Sequence, residues 1–158
     1  MSKQSAGILL YRRRGETLEV FLVHPGGPFW MKKDLGVWSI PKGEYEKDED
    51  ARAAARREFE EETGFAWIEG ELHPLGTVKL SSGKVVTAWA LEGDGDARAI
   101  RSNLFEMEWP PKTGKRQTFP EVDRAEWFSL AMAYTKIHPA QGAFLERLVH
   151  IFEHQPHS

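Results

Sequence analysis

Apolar residues gather along this chain in short blocks, and the spacing within each block separates strands from helices. Ala6 to Tyr11 (AGILLY) and Leu18 to His24 (LEVFLVH) are strand-length runs joined by the charged turn RRRGET. They predict two strands of one sheet, with a hairpin at Gly15. Leu75 to Leu80 and Lys84 to Leu91 (KVVTAWAL) predict two more around Ser81-Ser82-Gly83. Asn103 to Trp109 and Arg124 to Phe128 (RAEWF) predict another two. Helical sequence follows from Leu130 and again from Pro139 to about Glu153. In the last helix Phe144, Leu148 and Phe152, with Leu145 and Val149, recur at i, i+4 and predict a stripe that packs on the core.

Between these blocks the polar segments carry most of the chemistry. PGGPFWMKKDLG is a Pro- and Gly-punctuated loop. Its Phe29 and Trp30 beside Lys32 and Lys33 either receive a base and a phosphate or fold back on the domain with the lysines solvated. Trp38 to Gly43 (WSIPKG) predicts a short strand and a turn. Gly93 to Asp96 (GDGD) is too short for a calcium loop and lacks its closing Glu, so it reads as a turn. PPKTGKRQTFPE sets Lys112, Lys115 and Arg116 among Pro and Gly and predicts a basic mobile loop in front of Glu121.

The densest polar pattern is Gly43 to Phe65, GEYEKDEDARAAARREFEEETGF. A helix is expected to start near Asp48 to Asp50, whose carboxylates suit an N-terminus. It is expected to end at Thr63, with Gly64 as a left-handed cap. Glu58, Glu61 and Glu62 then stand at i, i+3 and i+4 on one face. Ala51, Ala54 and Ala55 share that half of the helix, while Arg52, Arg56 and Glu60 lie opposite as a solvated surface. Three carboxylates on a half-buried face repel one another unless a cation lies between them. Oxygen donors without His or Cys favour Mg²⁺ or Mn²⁺.

Composition narrows the classes. With 158 residues, 41% hydrophobic and 28% charged, the chain suits a single domain over residues 1–158. A formal net charge of -3 and a pI near 6.1 carry no basic excess of the kind a general nucleic-acid binder shows. The absence of cysteine removes disulfides, thiolate metal sites and a Cys nucleophile, and makes the cytoplasm the expected compartment. The N-terminal apolar run is short for a signal peptide, and no segment approaches the roughly 20 apolar residues of a membrane span. His138, His150, His154 and His157 lack a ligand spacing that meets the acidic cluster and are read as surface or structural residues.

The Gly43 to Phe65 stretch resembles the signature of the Nudix (MutT-like) hydrolases, G-x5-E-x7-R-E-U-x-E-E-x-G-U, where U is a bulky apolar residue. Gly43, Glu49, Arg57-Glu58-Phe59, Glu61-Glu62 and Gly64-Phe65 fill every fixed position. The resemblance implies an α/β fold, an α/β/α sandwich in which the signature helix and a C-terminal helix pack on a mixed β-sheet. It also implies metal-dependent hydrolysis of a nucleoside diphosphate linked to another moiety, by water attacking phosphorus.

Carried over residue by residue, the resemblance makes Glu58, Glu61 and Glu62 metal ligands together with the Gly43 carbonyl. Arg57 orients the cluster, and Glu49 braces the helix or acts as an outer ligand. An acidic ligand or general base from beyond the signature is assigned to Glu121, with Glu106, Glu108 and Asp123 as rivals. Trp38 to Gly43 and the segment around Lys84 are similar to the dinucleoside polyphosphate hydrolase branch, which commonly has His where this chain has Glu44.

That likeness makes diadenosine tetraphosphate the expected substrate. Lys42, Lys84 and Lys33 are then the phosphate contacts, and Trp30, Trp38 and Tyr134 the candidates for stacking on a base. Diphosphoinositol polyphosphates gripped by Lys32, Lys33, Lys112, Lys115 and Arg116 are the alternative, and a nucleotide sensor without turnover is a third reading. The expected partner is a small nucleotide or polyphosphate, with no membrane and no strong nucleic-acid signal, and the chain is expected to be a monomer or homodimer.

Overall fold

The structure is a computed structural model that describes residues 3–153, so His154 and His157 lie outside the described residues. Its first strand organises the sheet. β1 (Gln4–Arg14) turns at Gly15, where φ is 64°, into antiparallel β2 (Thr17–Pro25). The opening half of the same β1 edge instead pairs with the short β3 (Lys42–Glu44), Ser5 opposite Glu44 and Gly7 opposite Lys42. On its other edge β1 runs parallel to β5 (Val85–Glu92), which pairs antiparallel with β4 (His73–Lys79). β8 (Val122–Ser129) closes the far side against β2, giving the order β4-β5-β1-β2-β8 with β3 on β1.

Successive side chains of a strand point to opposite faces, and here both faces are covered. Ala6, Ile8 and Leu10 of β1, Phe21 and Val23 of β2, and Trp89 and Leu91 of β5 meet α1 (Ala51–Thr63). Leu9, Tyr11, Val20, Leu22, Val86, Ala88 and Ala90 line the other face, where Phe144, Leu145 and Leu148 of α3 (Gly142–Glu153) pack. This is why the strand sequences read as nearly unbroken apolar runs. The short α2 (Leu130–Lys136) is capped by Ser129 and packs on that same second face through Ala133. Among the described residues no helix is long and apolar enough to cross a membrane.

α1 forms where its sequence dictates. The Asp50 carboxylate accepts from the Ala53 N–H at 3.0 Å, and Gly64 at φ 73° closes the last turn by donating to the Glu60 carbonyl at 2.8 Å. The small Ala54 and Ala55 let the helix approach the sheet, and Phe59 fills the space beyond them, edge-on to Phe65 and Trp67. Two chain-distant amides tie down the helix end: Arg101 N–H donates to the Thr63 carbonyl at 2.8 Å and Asn103 N–H to that of Glu61 at 3.1 Å.

One expected element is replaced. The segment read as a basic mobile loop contains β7 (Arg116–Pro120), which pairs in register with β6 (Leu104–Glu108) as a separate two-stranded sheet. Phe105 and Phe119 sit opposite each other across it, with ring centroids 6.0 Å apart. Cross-strand pairing of this kind outweighs the Pro and Gly punctuation on either side.

Phe59 is the largest buried side chain that α1 sends into the core. Phe59→Ala is expected to lower unfolding free energy by about 3–5 kcal/mol in chemical denaturation. A loss below about 1 kcal/mol would show that α1 is held by other means.

Candidate active site

The site is built where α1 faces β3. Lys42 N–H donates to Glu62 Oε1 at 3.1 Å, which pins the strand to the last turn of the helix. Beside it the Glu58 carboxyl lies against Gly43 so closely that a Cβ at position 43 would stand 2.0 Å from Glu58 Oε2. Any larger residue there would expel Glu58 from the seam, which gives the signature glycine a steric cause.

Arg57 supplies the positive charge inside the cluster. Its Nε and Nη2 each meet a carboxylate oxygen of Glu49 at 3.0 Å, a two-pronged contact. Its Nη1 reaches Glu58 at 2.9 Å and Glu61 at 3.4 Å. These contacts, with that to Glu49 foremost, hold the guanidinium charged well above its ordinary range. Arg57 therefore ties the loop before the helix to two of the helix glutamates.

The electrostatics are those of crowded acids. Burial pushes the Glu62 carboxyl up to about 8, with Glu58 and Glu121 adding to the rise and the Lys42 N–H and ammonium opposing it. Burial also raises Glu58, and Glu61 and Glu121 reinforce that rise against Arg57. The Lys42 ammonium is itself lowered, first by burial and then by neighbouring Lys84, against the pull of Glu62, Glu44 and Glu58. Lys84 pairs with Glu44 at 2.9 Å. Two lysines thus stand next to the carboxylate seam, Lys42 half-buried and Lys84 held by Glu44.

Oxygen donors of this kind suit a hard divalent cation. Among the described residues, no group of three or more His, Cys, Asp or Glu side chains stands already arranged to hold a metal ion. Glu58 and Glu61 are turned toward Arg57 and Glu62 toward β3. Mg²⁺ needs no such arrangement, since it keeps several waters and is commonly held through one or two carboxylates plus substrate phosphates. The donor set fits an open site of that type.

Of the acids outside the signature, Glu121 is the one whose charge bears on both Glu58 and Glu62. It sits between β7 and β8, its N–H donating to the Asn103 carbonyl at 2.8 Å and its carbonyl accepting from Gly26 N–H at 2.9 Å. Its rivals are engaged elsewhere. Glu106 pairs with Arg116 and Glu108 accepts from Lys112 N–H, both at 2.5 Å, while Asp123 meets His24 at 2.8 Å.

The substrate-contact residues divide. Trp30 is exposed, with the Lys33 ammonium 5.1 Å from its ring centre, and neighbouring Phe29 meets Trp109 of the hairpin edge-on. Trp38 does not belong to the site. It is 1% exposed, packs edge-on against Phe128 at 5.0 Å and donates its indole N–H to Asp34. A core ring of this kind has no face to offer a base. Tyr134 is exposed but lies on α2, under the influence of Glu146 of α3, in the layer opposite α1. Its pattern as an aromatic on a helix carried no information about which layer that helix would join. His24, buried with both ring nitrogens bonded, stood unmarked within an apolar run.

Glu62 takes up its proton near 4.5 in the unfolded chain and at about 8 in the fold, so protonation favours folding. That contribution is complete below about pH 4.5, declines as pH rises and is gone above about pH 8. In metal-free protein, urea unfolding is therefore expected to show wild type losing stability relative to Glu62→Gln between about pH 4.5 and about pH 8. Equal pH slopes for the two proteins would contradict a buried, proton-holding Glu62.

The NUDIX domain profile matches residues 1–148. The 8-oxo-(d)GTP phosphatase of Mycolicibacterium smegmatis is 28% identical over 118 residues, 68% of this chain and 34% of that protein, so the chain spans about a third of that relative's length. The structure of a C. elegans Ap4A hydrolase binary complex superposes with a TM-score of 0.67 at 21% identity, covering 94% of this chain and 98% of that one. The NUDIX domain of Shewanella oneidensis NrtR complexed with ADP ribose gives 0.66 at 17% identity, covering 96% and 89%. The structural likenesses show the fold. Since the profile takes in nearly the whole sequence, signature helix and sheet together, this chain belongs to the Nudix family.

Proposed function

We propose that the chain is a metal-dependent pyrophosphohydrolase that cleaves a phosphoanhydride bond in a nucleoside diphosphate-linked substrate, with a dinucleoside polyphosphate such as diadenosine tetraphosphate as first choice. One observation carries this reading. Glu58 and Glu62 are held in partly desolvated positions where burial raises both, Glu61 and Glu121 raise Glu58 further and Glu58 and Glu121 raise Glu62 further, next to two lysines. Such crowding is costly in a fold unless the charges are used together.

Nudix hydrolases generally use divalent metal ions such as Mg²⁺. Mg²⁺ or Mn²⁺ would be held by Glu58, Glu61, Glu62, Glu121 and the Gly43 carbonyl, and when bound it neutralises polyphosphate charge, polarises the P–O bond and acidifies water. The chain's own groups do the rest. Arg57, fixed by Glu49, keeps Glu58 and Glu61 in place. Glu121 or Glu62, as a carboxylate, takes the proton of the attacking water. Lys42 and Lys84 meet phosphoryl oxygens, Lys84 exchanging its Glu44 partner for the substrate. Trp30 stacks on a base and Lys33 meets a phosphate.

The test is a panel of diadenosine tetraphosphate, nucleotide sugars, NADH, ADP-ribose, 8-oxo-dGTP, capped RNA and diphosphoinositol phosphates, assayed with Mg²⁺ and with Mn²⁺ and with products identified. Conversion of diadenosine tetraphosphate to ATP and AMP is expected. Glu62→Gln should lower kcat by about a thousandfold or more with the fold retained by circular dichroism. Tight nucleotide binding without cleavage across the panel would overturn the enzymatic reading in favour of a sensor.

A further inference from the structure

His24 is the buried titratable residue that the chemistry above leaves without a task. It closes the apolar run of β2 opposite Arg124 of β8, and the pairing shifts register immediately after it. The ring has no exposure to solvent and stands edge-on to Trp38, 5.1 Å between centroids. Packing alone would be met there by Phe or Leu, at no cost in polar burial.

Both ring nitrogens are bonded instead. The Lys33 carbonyl can only accept, so Nε2–H donates to it, at 2.7 Å, while Nδ1 meets the Asp123 carboxylate at 2.8 Å. The two partners belong to different elements. Lys33 closes a turn in the Gly26 to Gly36 loop, its N–H donating to the Trp30 carbonyl at 2.9 Å. Asp123 stands two residues beyond Glu121 in β8, and Glu121 itself accepts from Gly26 at the near end of the same loop. The loop's far end is fixed separately, by Gly36 N–H to the Thr135 carbonyl and by Asp34 with Lys136. In its middle Phe29, Trp30, Met31 and Leu35 are exposed, and Phe29 meets Trp109 edge-on.

We propose that His24 is a positioning residue: bonded to Asp123 on one side and to the Lys33 carbonyl on the other, it clamps the Gly26 to Gly36 loop to β8 and so sets where Trp30 and Lys33 meet the substrate. This rests on the assignment of Trp30 and Lys33 as substrate contacts. The clamp works through the main chain of Lys33, leaving its ammonium free to engage a phosphate.

The experiment uses the full chain as wild type, His24→Phe, Asp123→Ala and the double variant. His24→Phe keeps a ring against Trp38 and removes both bonds, and Asp123→Ala removes one partner from a partly exposed position. Trypsin cleavage after Lys32 and Lys33, followed by fragment mass, needs no turnover and acts on the carbonyl that His24 holds. The rate is expected to rise by at least about fivefold in each single variant, because a lost clamp raises the open population of the loop. The double variant should cleave no faster than His24→Phe, as two members of one unit are not additive.

A smaller rise in the single variants, or multiplying effects in the double, overturns the proposal. If His24→Phe fails to fold by circular dichroism, Asp123→Ala decides. With diadenosine tetraphosphate and Mg²⁺, KM in the folded variants should rise by about tenfold while kcat stays within about threefold, since the clamp acts on binding. An unchanged KM also overturns it. A wild type that cleaves nothing removes the pyrophosphohydrolase reading, and the trypsin rates still judge the clamp.

Discussion

Carboxylates brought together at a half-dry seam repel one another and lose hydration, and the arrangement around α1 answers to that cost. Arg57 offsets part of it by reaching Glu49, Glu58 and Glu61 at once. Glu62, turned toward β3, accepts from the Lys42 N–H, and burial pushes its carboxyl up to about 8. A cation taken up by this seam would replace both devices, the proton and part of the guanidinium contact. On the proposed function, stability and chemistry meet at the same residues: the crowding that strains the metal-free fold is what a divalent ion and a polyphosphate would relieve.

The rest of the molecule can be seen as a frame for that seam. β1 shares one edge between β3 and β2, so the strand carrying Lys42 and Gly43 is fixed by the centre of the sheet and not by a free loop. Ala54 and Ala55 set the depth of α1, and the missing Cβ of Gly43 admits Glu58. Asn103 then links the helix end to Glu121, accepting from the Glu121 N–H and donating to the Glu61 carbonyl. Opposite them, the Gly26 to Gly36 loop and the β6–β7 hairpin touch through Phe29 and Trp109, and Phe105 closes against Gly27. Rigid elements hold the acids, while the more exposed segments carry the aromatic and cationic groups suited to a substrate.

What could be read from the sequence was whatever has a local cause. α1 and its caps followed from Asp50, the Ala run and Gly64, and the strands from Ala6 to Tyr11, Leu18 to His24 and Lys84 to Leu91 followed from their apolar density. The placing of Glu58, Glu61 and Glu62 on one side of the helix needed only its period. Position in the third dimension was less accessible. Trp30 and Trp38 are the same residue type close together in the chain, yet Trp30 is exposed in a turn while Trp38 lies in the core, bridged to Ile137 at the end of α2. Arg116 to Pro120 pairs with a strand across a Pro- and Gly-rich tip, and local composition has no term for that partner. His24 was invisible for the same reason: its role is defined by Lys33 and Asp123, which the fold brings to it.

On the proposed function, the carboxylate seam exchanges its proton for a divalent cation. Isothermal titration of Mg²⁺ into the metal-free chain at pH 7, repeated in buffers of different ionisation enthalpy, measures this directly. With Glu62 held at about 8, binding should release close to one proton per chain, and Glu62→Gln should abolish the release. Absence of binding, or binding with the same proton count in wild type and Glu62→Gln, would show that Glu62 does not give up a proton to a cation.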